Sequence, residues 1–242
     1  MQTDSAALYG QDAYLQEAQA RVIAHLPDGG LVLDRNLFYP TGGGQPGDTG
    51  RLGWATGTCR VNNTVKGTAG GAVLICATDD PRPPIGTEVS QQLDWQRRYG
   101  HMRVHTALHL LSVAVPFEVS GGAITASKGR LDFNMPEVSA DKQALQDQLQ
   151  ELINRNLEVT ESWISEAELE AKPQLVKTMS VSPPRGAGLI RLVRIGSGAE
   201  QVDLQPCGGT HVKRSAEIGQ IRIGKMEKKG KQNRRIYLHL VD

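Results

Sequence analysis

Two short motifs, almost a hundred residues apart, constrain this chain more than anything else in it. Residues 100–111 read GHMRVHTALHLL and place His101, His105 and His109 four apart. On a helix such residues return to one face, so each neighbouring pair could clamp a metal ion. Downstream, QPCGGTHV supplies Cys207 and His211, and Gly208 and Gly209 let the loop between them turn thiolate and imidazole toward one point. Two helical imidazoles with this cysteine and histidine make a tetrahedral zinc set of three nitrogens and one sulfur. A fold that satisfies it must bring this helix and this loop together.

Spacing leaves the helical pair open between His101–His105 and His105–His109, with His105 common to both. Two local features favour the second. Gly100 precedes His101, where the helix is expected to fray, whereas His109 leads into the apolar run LLSVAV. Metal geometry is easier to hold from the packed part of a helix.

The 242 residues suffice for one large or two modest domains with a buried core. With 39% hydrophobic and 22% charged residues the chain has a globular balance, and 5% aromatics argue against broad base-stacking platforms. A net charge of +1 confines any nucleic-acid contact to a local patch. MQTDSAALYG lacks the features of a signal peptide, and no apolar run reaches the roughly 18 residues of a membrane helix. Cys59, Cys76 and Cys207 are odd in number and sparse, which fits a reducing cytoplasm.

From Tyr14 to Leu93 short runs (ARVIAH, GLVLD, RLGWATGTCRVN, AVLICA, TEVSQQLD) alternate with the turn signals PDGG, NNT, AGG and DDPRPP. The pattern predicts a small barrel or compact sheet. From Trp95, apolar residues recur every three or four positions, predicting a buried helix. Gly121 and Gly122 are expected to start a loop or hairpin leading to the strand GRLDF. Ser139 or Asp141 is the expected cap of a helix carrying Leu145, Leu149, Leu152 and Ile153 on one stripe. VTESWIS reads as extended, EAELEA as a short helix, and LIRLVRIG, EIGQIRIGKME and RRIYLHLV as strands.

RVHTALHLL and CGGTHV together resemble the editing domain of alanyl-tRNA synthetases and its free-standing relatives, the AlaX alanyl-tRNA editing proteins. The resemblance extends to FYPTGGGQPGDTG (Phe38 to Gly50), to GRLDF and to EIGQIRIGKMEKKGKQNRRI. It therefore covers most of the chain, from about residue 38 to 236, and is closest to the medium-length type. It implies an α+β fold class: a small translation-factor-like β-barrel with the glycine-rich motif over residues 1–93, then a zinc-binding aminoacyl-tRNA editing domain over 94–242, with helices packed on an antiparallel sheet. It also implies that His105, His109, Cys207 and His211 hold Zn2+, leaving His101 as a neighbour.

The activity implied is trans-editing: hydrolysis of the aminoacyl ester of tRNA(Ala) mischarged with serine or glycine. Because correct Ala-tRNA lacks only a hydroxyl, the pocket needs a polar group that is left unpaired by alanine. Thr106, Thr125 and Thr210 are candidates, with Thr125 preferred. The amide of Gln45, within Gly42–Gly47, is placed at the acceptor end or the ester carbonyl. KMEKKGKQNRR offers Lys228, Lys229, Lys231, Arg234 and Arg235 to the tRNA backbone, with Lys225 beside them and Arg97, Arg98 and Arg103 as an extension. Asp132 is read either as a carboxylate behind a zinc-bound imidazole or as a strand-end cap. His25, His239, Cys59 and Cys76 carry no ligand role. No stretch resembles an ATP-binding or amino-acid-activating domain, and no membrane partner is expected. Three alternatives stand beside this reading: a non-catalytic zinc-stabilised tRNA-binding module, editing of another mischarged tRNA such as Ser-tRNA(Thr), and a hydrolase of small aminoacyl esters.

Overall fold

The structure is a computed structural model that describes residues 5–68, 70–135, 141–177 and 188–241. It is mixed α and β, dominated by sheets, and divides into two compact units, Met1–Tyr99 and Gly100–Asp242.

The first unit contains β1 (Ala6–Ala7), β2 (Glu17–His25), β3 (Leu31–Leu33), β4 (Arg35–Asn36), β5 (Gly50–Trp54), β6 (Gly57–Lys66), β7 (Ala72–Cys76) and β8 (Glu88–Leu93). Six of these close a barrel in the order β2-β3-β7-β6-β5-β8, which leaves no free edge among them. Alternating residues such as Val22, Leu31, Leu52, Val61, Leu74 and Val89 fill its centre. RLGWATGTCRVN is two strands rather than one run: β5 and β6 form a hairpin in which Trp54 pairs Gly57 across Ala55–Thr56. The expected turn at Asn62–Thr64 lies inside β6, absorbed by a register shift between Val61 and Asn63. Thr64 is buried there and donates its hydroxyl to the Asp48 carbonyl at 3.0 Å.

The glycine-rich motif is a tight hairpin turn. Gly42 and Gln45 exchange two backbone hydrogen bonds of 3.0 Å each. Gly43 and Gly44 between them have φ of 58° and 82°. Positive φ at both central residues is what a type I′ turn requires, and glycine adopts it without a steric penalty. The same unit holds a buried ion pair. Arg98 donates Nε to Asp48 Oδ2 at 2.8 Å and Nη2 to the same oxygen, and it also binds the carbonyls of Ala13 and Leu37 at 2.9 Å. Asp48 Oδ2 in turn accepts from the Tyr39 amide at 2.6 Å, so the chain on both sides of the turn is fastened to one guanidinium. Arg98, expected to extend an RNA patch, is instead fully buried in this pair.

Helix α1 (Trp95–Ala114) begins at Asp94, whose Oδ1 accepts from the Arg97 amide at 3.2 Å and whose carbonyl accepts from Arg98 at 3.0 Å. The helix does not fray at Gly100. A side chain there would meet the Ala126 carbonyl at 2.3 Å, so Gly100 is a point of close approach.

The second unit also contains β9 (Val119–Ile124), β10 (Lys128–Asn134), α2 (Lys142–Asn154), β11 (Val159–Ser165), α3 (Glu166–Glu170), β12 (Leu189–Ile195), β13 (Asp203–Pro206), β14 (Gln220–Lys229) and β15 (Asn233–Val241). Two antiparallel sheets result, β14-β15-β10-β9 and β11-β12-β13. Of the loop or hairpin expected from Gly121 and Gly122, the hairpin forms: both glycines pair within β9 against β10, and the turn falls at Thr125–Ser127. One face of β10, at Gly129, Leu131 and Phe133, is buried, and Gly129 lies against Val104 and Leu108 of α1. Asp141 caps α2 by accepting from the Gln143 amide at 2.8 Å; Ser139 lies outside the described residues. The α2 stripe buries Leu145, Leu149 and Ile153, with Leu152 half-buried. Gln146 and Gln150 accept from the amides of Ile223 and Ile221, covering the edge of β14. A capping box joining Ser165 and Glu168 starts α3. Among the described residues no helix is long and apolar enough to cross a membrane.

Candidate metal centre

Helix α1 projects His105 and His109 from one face, one turn apart, and the loop that follows β13 carries Cys207 and His211 to meet them. Their four ligand atoms lie within 4.8 Å of one another. Cys207 Sγ is 3.5 Å from His105 Nε2 and 3.3 Å from His211 Nε2. Zinc bonds of about 2.0–2.1 Å to nitrogen and 2.3 Å to sulfur place tetrahedral neighbours about 3.5 Å apart, so the donor set and its spacing fit zinc. His105, His109 and His211 are all buried.

The rings of His109 and His211 are aimed by what their other nitrogens do. His109 Nδ1 donates to Asp203 Oδ2 at 2.9 Å, leaving Nε2 for the metal. Asp203 is itself held by Lys177 Nζ at 2.5 Å and by Gln205 Nε2 at 2.8 Å. His211 Nδ1 lies 3.1 Å from Thr106 Oγ1. That hydroxyl also donates to the Met102 carbonyl and accepts from the Val212 amide, which fastens the loop to α1. Arg191, paired to Glu161, donates to the carbonyls of Cys207 and Gly209 at 2.8 Å, so the Gly208–Gly209 turn is held from behind.

Charge follows this arrangement. Burial works against ionising Cys207, yet His105 and His211 hold its thiol well below the ordinary range. Burial, then the charge of His105, pushes His211 down to about 3. Thiolate and neutral imidazole are the ligand forms a metal needs. His109 is opposed by burial, but its hydrogen bonds with Asp203 and Cys207 carry it up to about 9. Burial raises Asp203, yet His109 and Lys177 bring it down to about 2.

The structure brings together His105, His109, Cys207 and His211, and leaves His101 buried in α1 outside the group. Thr210 is buried in the same loop. Thr125 is exposed in the β9–β10 turn, where its hydroxyl donates to the Lys128 carbonyl and accepts from the Lys128 amide. Gln45 is buried in the first unit.

In the basic segment Lys228 and Lys231 are exposed, while Lys225 and Lys229 are paired with Glu227. Arg234 is buried and Arg235 grips Asp132 through two bonds of 2.7 and 2.8 Å. Arg103 donates to the Ile218 carbonyl. Asp132 therefore serves Arg235 and Arg130, and the carboxylate behind an imidazole is Asp203. Asp203 was missed because VDLQP carries no periodic or motif signal; its position four residues before Cys207 is the only hint. His25 binds the Pro83 carbonyl, and Cys59 and Cys76 sit in the barrel core.

Residues 9–97, which cover the barrel, match a family model described as tRNA synthetases class II (A). Residues 190–237, which include Cys207 and His211, match one described as Threonyl and Alanyl tRNA synthetase second additional domain. Among curated relatives, the alanyl-tRNA editing protein AlaX-M of Methanosarcina acetivorans is 34% identical over 97% of this chain and 98% of its own length. That of Methanosarcina barkeri is 34% identical over 98% and 99%. The alanine–tRNA ligase of Pyrobaculum neutrophilum is 33% identical over 91% of this chain, which corresponds to 25% of the ligase. Near-complete mutual coverage at this identity means that the chain belongs to the AlaX-M family of alanyl-tRNA editing proteins.

Proposed function

We propose that this chain is a trans-acting aminoacyl-tRNA hydrolase that removes serine from mischarged tRNA(Ala), with glycine as a second substrate. The observation that carries the reading is the oriented three-nitrogen, one-sulfur group in a chain collinear with alanyl-tRNA editing proteins. Zinc bound there would supply a Lewis acid and a fixed point for the pocket. The chain's own residues do the rest. Asp203 and Thr106 keep the Nδ1 atoms of His109 and His211 occupied, and Arg191 holds the loop that presents Cys207 and Thr210. An aminoacyl ester is already activated, so holding it beside water in a fixed polar pocket is the main task.

Of the three threonines proposed to read the serine hydroxyl, Thr106 and Thr125 already commit their hydroxyls to His211 and to the Lys128 backbone. We propose Thr210 as the reader on its position alone: it is buried in the ligand loop, next to His211. Loss of that contact with alanine leaves a buried polar group unpaired, which can separate substrates by roughly 10⁴-fold. Zinc held by four protein ligands also describes a closed structural site, so a tRNA-binding module with a zinc staple is the second reading.

The test follows ester loss from Ser-tRNA(Ala) and Ala-tRNA(Ala), with intact protein and with His109→Ala, and zinc is measured in both. Hydrolysis of the serine ester alone, lost in the variant together with zinc, is expected. Survival of both esters with intact, zinc-loaded protein would give the second reading its place.

A further inference from the structure

The exposed face of the sheet β14-β15-β10-β9 carries a row of cations that the sequence scatters over more than a hundred residues. Lys128 pairs directly with His239, and His239 with Arg222. Direct antiparallel partners project to the same face, so these three side chains stand side by side across three strands. Neighbouring strands are about 4.8 Å apart, so the row spans about 10 Å. The alternate residues Gly129, Leu238 and Ile223 point the other way and are buried.

Lys142, the first residue of α2, lies one helical turn before Gln146, which accepts from the amide of Ile223, the residue after Arg222. Burial lowers the pKa of His239, and the charges of Arg222, Lys128 and Lys142 lower it further. Lys128, Lys142 and Arg222 are exposed, and among the described residues none of them takes part in an ion pair. The other end of the same face is different. There Asp132 and Glu227 answer Arg130, Arg235, Lys225 and Lys229. Charge on this face is therefore one-sided, in a chain whose net charge is only +1.

We infer that Lys128, Arg222 and Lys142, gathered around His239, form a phosphate-binding surface for the backbone of the tRNA substrate. The inference rests on the proposed function for the identity of the polyanion. Charge complementarity is its basis: Lys128 and Arg222, about 10 Å apart on either side of His239 and without an acidic partner among the described residues, suit neighbouring phosphates on one RNA strand, with Lys142 on the adjoining helix. Contacts of this kind position an RNA and carry no base information.

The test measures binding of uncharged tRNA(Ala) across a salt series, in parallel with hydrolysis of Ser-tRNA(Ala). The variants are Lys128→Ala/Arg222→Ala/Lys142→Ala, Lys128→Arg/Lys142→Arg, and Lys228→Ala/Lys231→Ala as comparator. The alanine triple is expected to bind roughly tenfold more weakly near 0.1 M salt, with the slope of log affinity against log salt reduced by about two. Its kcat should be unchanged, and the arginine variant should bind as the parent does. Parental affinity and slope in the triple, or an equal loss in the comparator, would overturn the inference while leaving hydrolysis intact. A parent that binds tRNA through these residues yet cleaves no ester would instead overturn the proposed function alone.

Discussion

A carboxylate behind an imidazole decides which ring nitrogen faces a metal, and Asp203 does this for His109 from a short strand on the far side of the loop. Lys177 and Gln205 fix Asp203, so the ring is held through a chain of three charged or polar groups. Partners of this kind are worth 10–100-fold in metal affinity. Asp203→Ala is therefore expected to weaken zinc binding by about that factor in competition with a chelator, while all four ligands stay in place. Unchanged competition would show that helix packing alone aims His109. Thr106 shows the same principle from the other side. Sequence reading offered it to the substrate, but its hydroxyl serves Met102, His211 and Val212. Residue type can suggest chemistry, yet which partner a hydroxyl takes depends on neighbours a hundred residues away.

Helix α1 carries half of the ligand set, and its seating depends on Gly129 of β10. A side chain at that position would begin 2.7 Å from Val104 Cγ1 and 2.9 Å from Leu108 Cδ1. Both residues flank the turn of helix that presents His105 and His109. Overpacking of this kind costs about 1–3 kcal/mol. Gly129→Val should lower stability in denaturant by that amount and weaken zinc binding as well; an unchanged midpoint would mean that helix and strand can separate freely here. At this scale much was legible. The periodicity after Trp95 gave the helix, and the DKQALQDQLQELINRNL stripe gave α2, whose cap, open between Ser139 and Asp141 in the sequence, is Asp141. Turns were read less well. Ala55–Thr56 turns a hairpin with neither Gly, Pro nor Asn at its two central positions, while Asn62–Thr64 has turn composition yet lies in a strand. Barrel closure and sheet pairing override local preference at these positions.

For the molecule as a whole, the ligand set ties α1 to a loop 98 residues beyond His109, all of it within the second unit. A metal that binds only the folded arrangement adds its binding energy to the stability of that unit. Chelation is expected to lower the thermal midpoint and to raise hydrogen exchange in residues 100–114 and 203–212, while strands β2–β8 of the barrel keep their protection. Equal loss of protection in both units would show that the metal governs the entire fold. By itself the sequence determined the barrel-then-mixed order of elements, the helix, the Cys207–His211 loop and the family, because periodicity, capping and motif spacing are local properties. Only the tertiary structure decided that Asp203 stands behind His109, that Arg98 is buried against Asp48, and that Lys128 and Arg222 flank His239 on one sheet face. Strand register and burial create these groupings, and neither is a property of neighbouring residues along the chain.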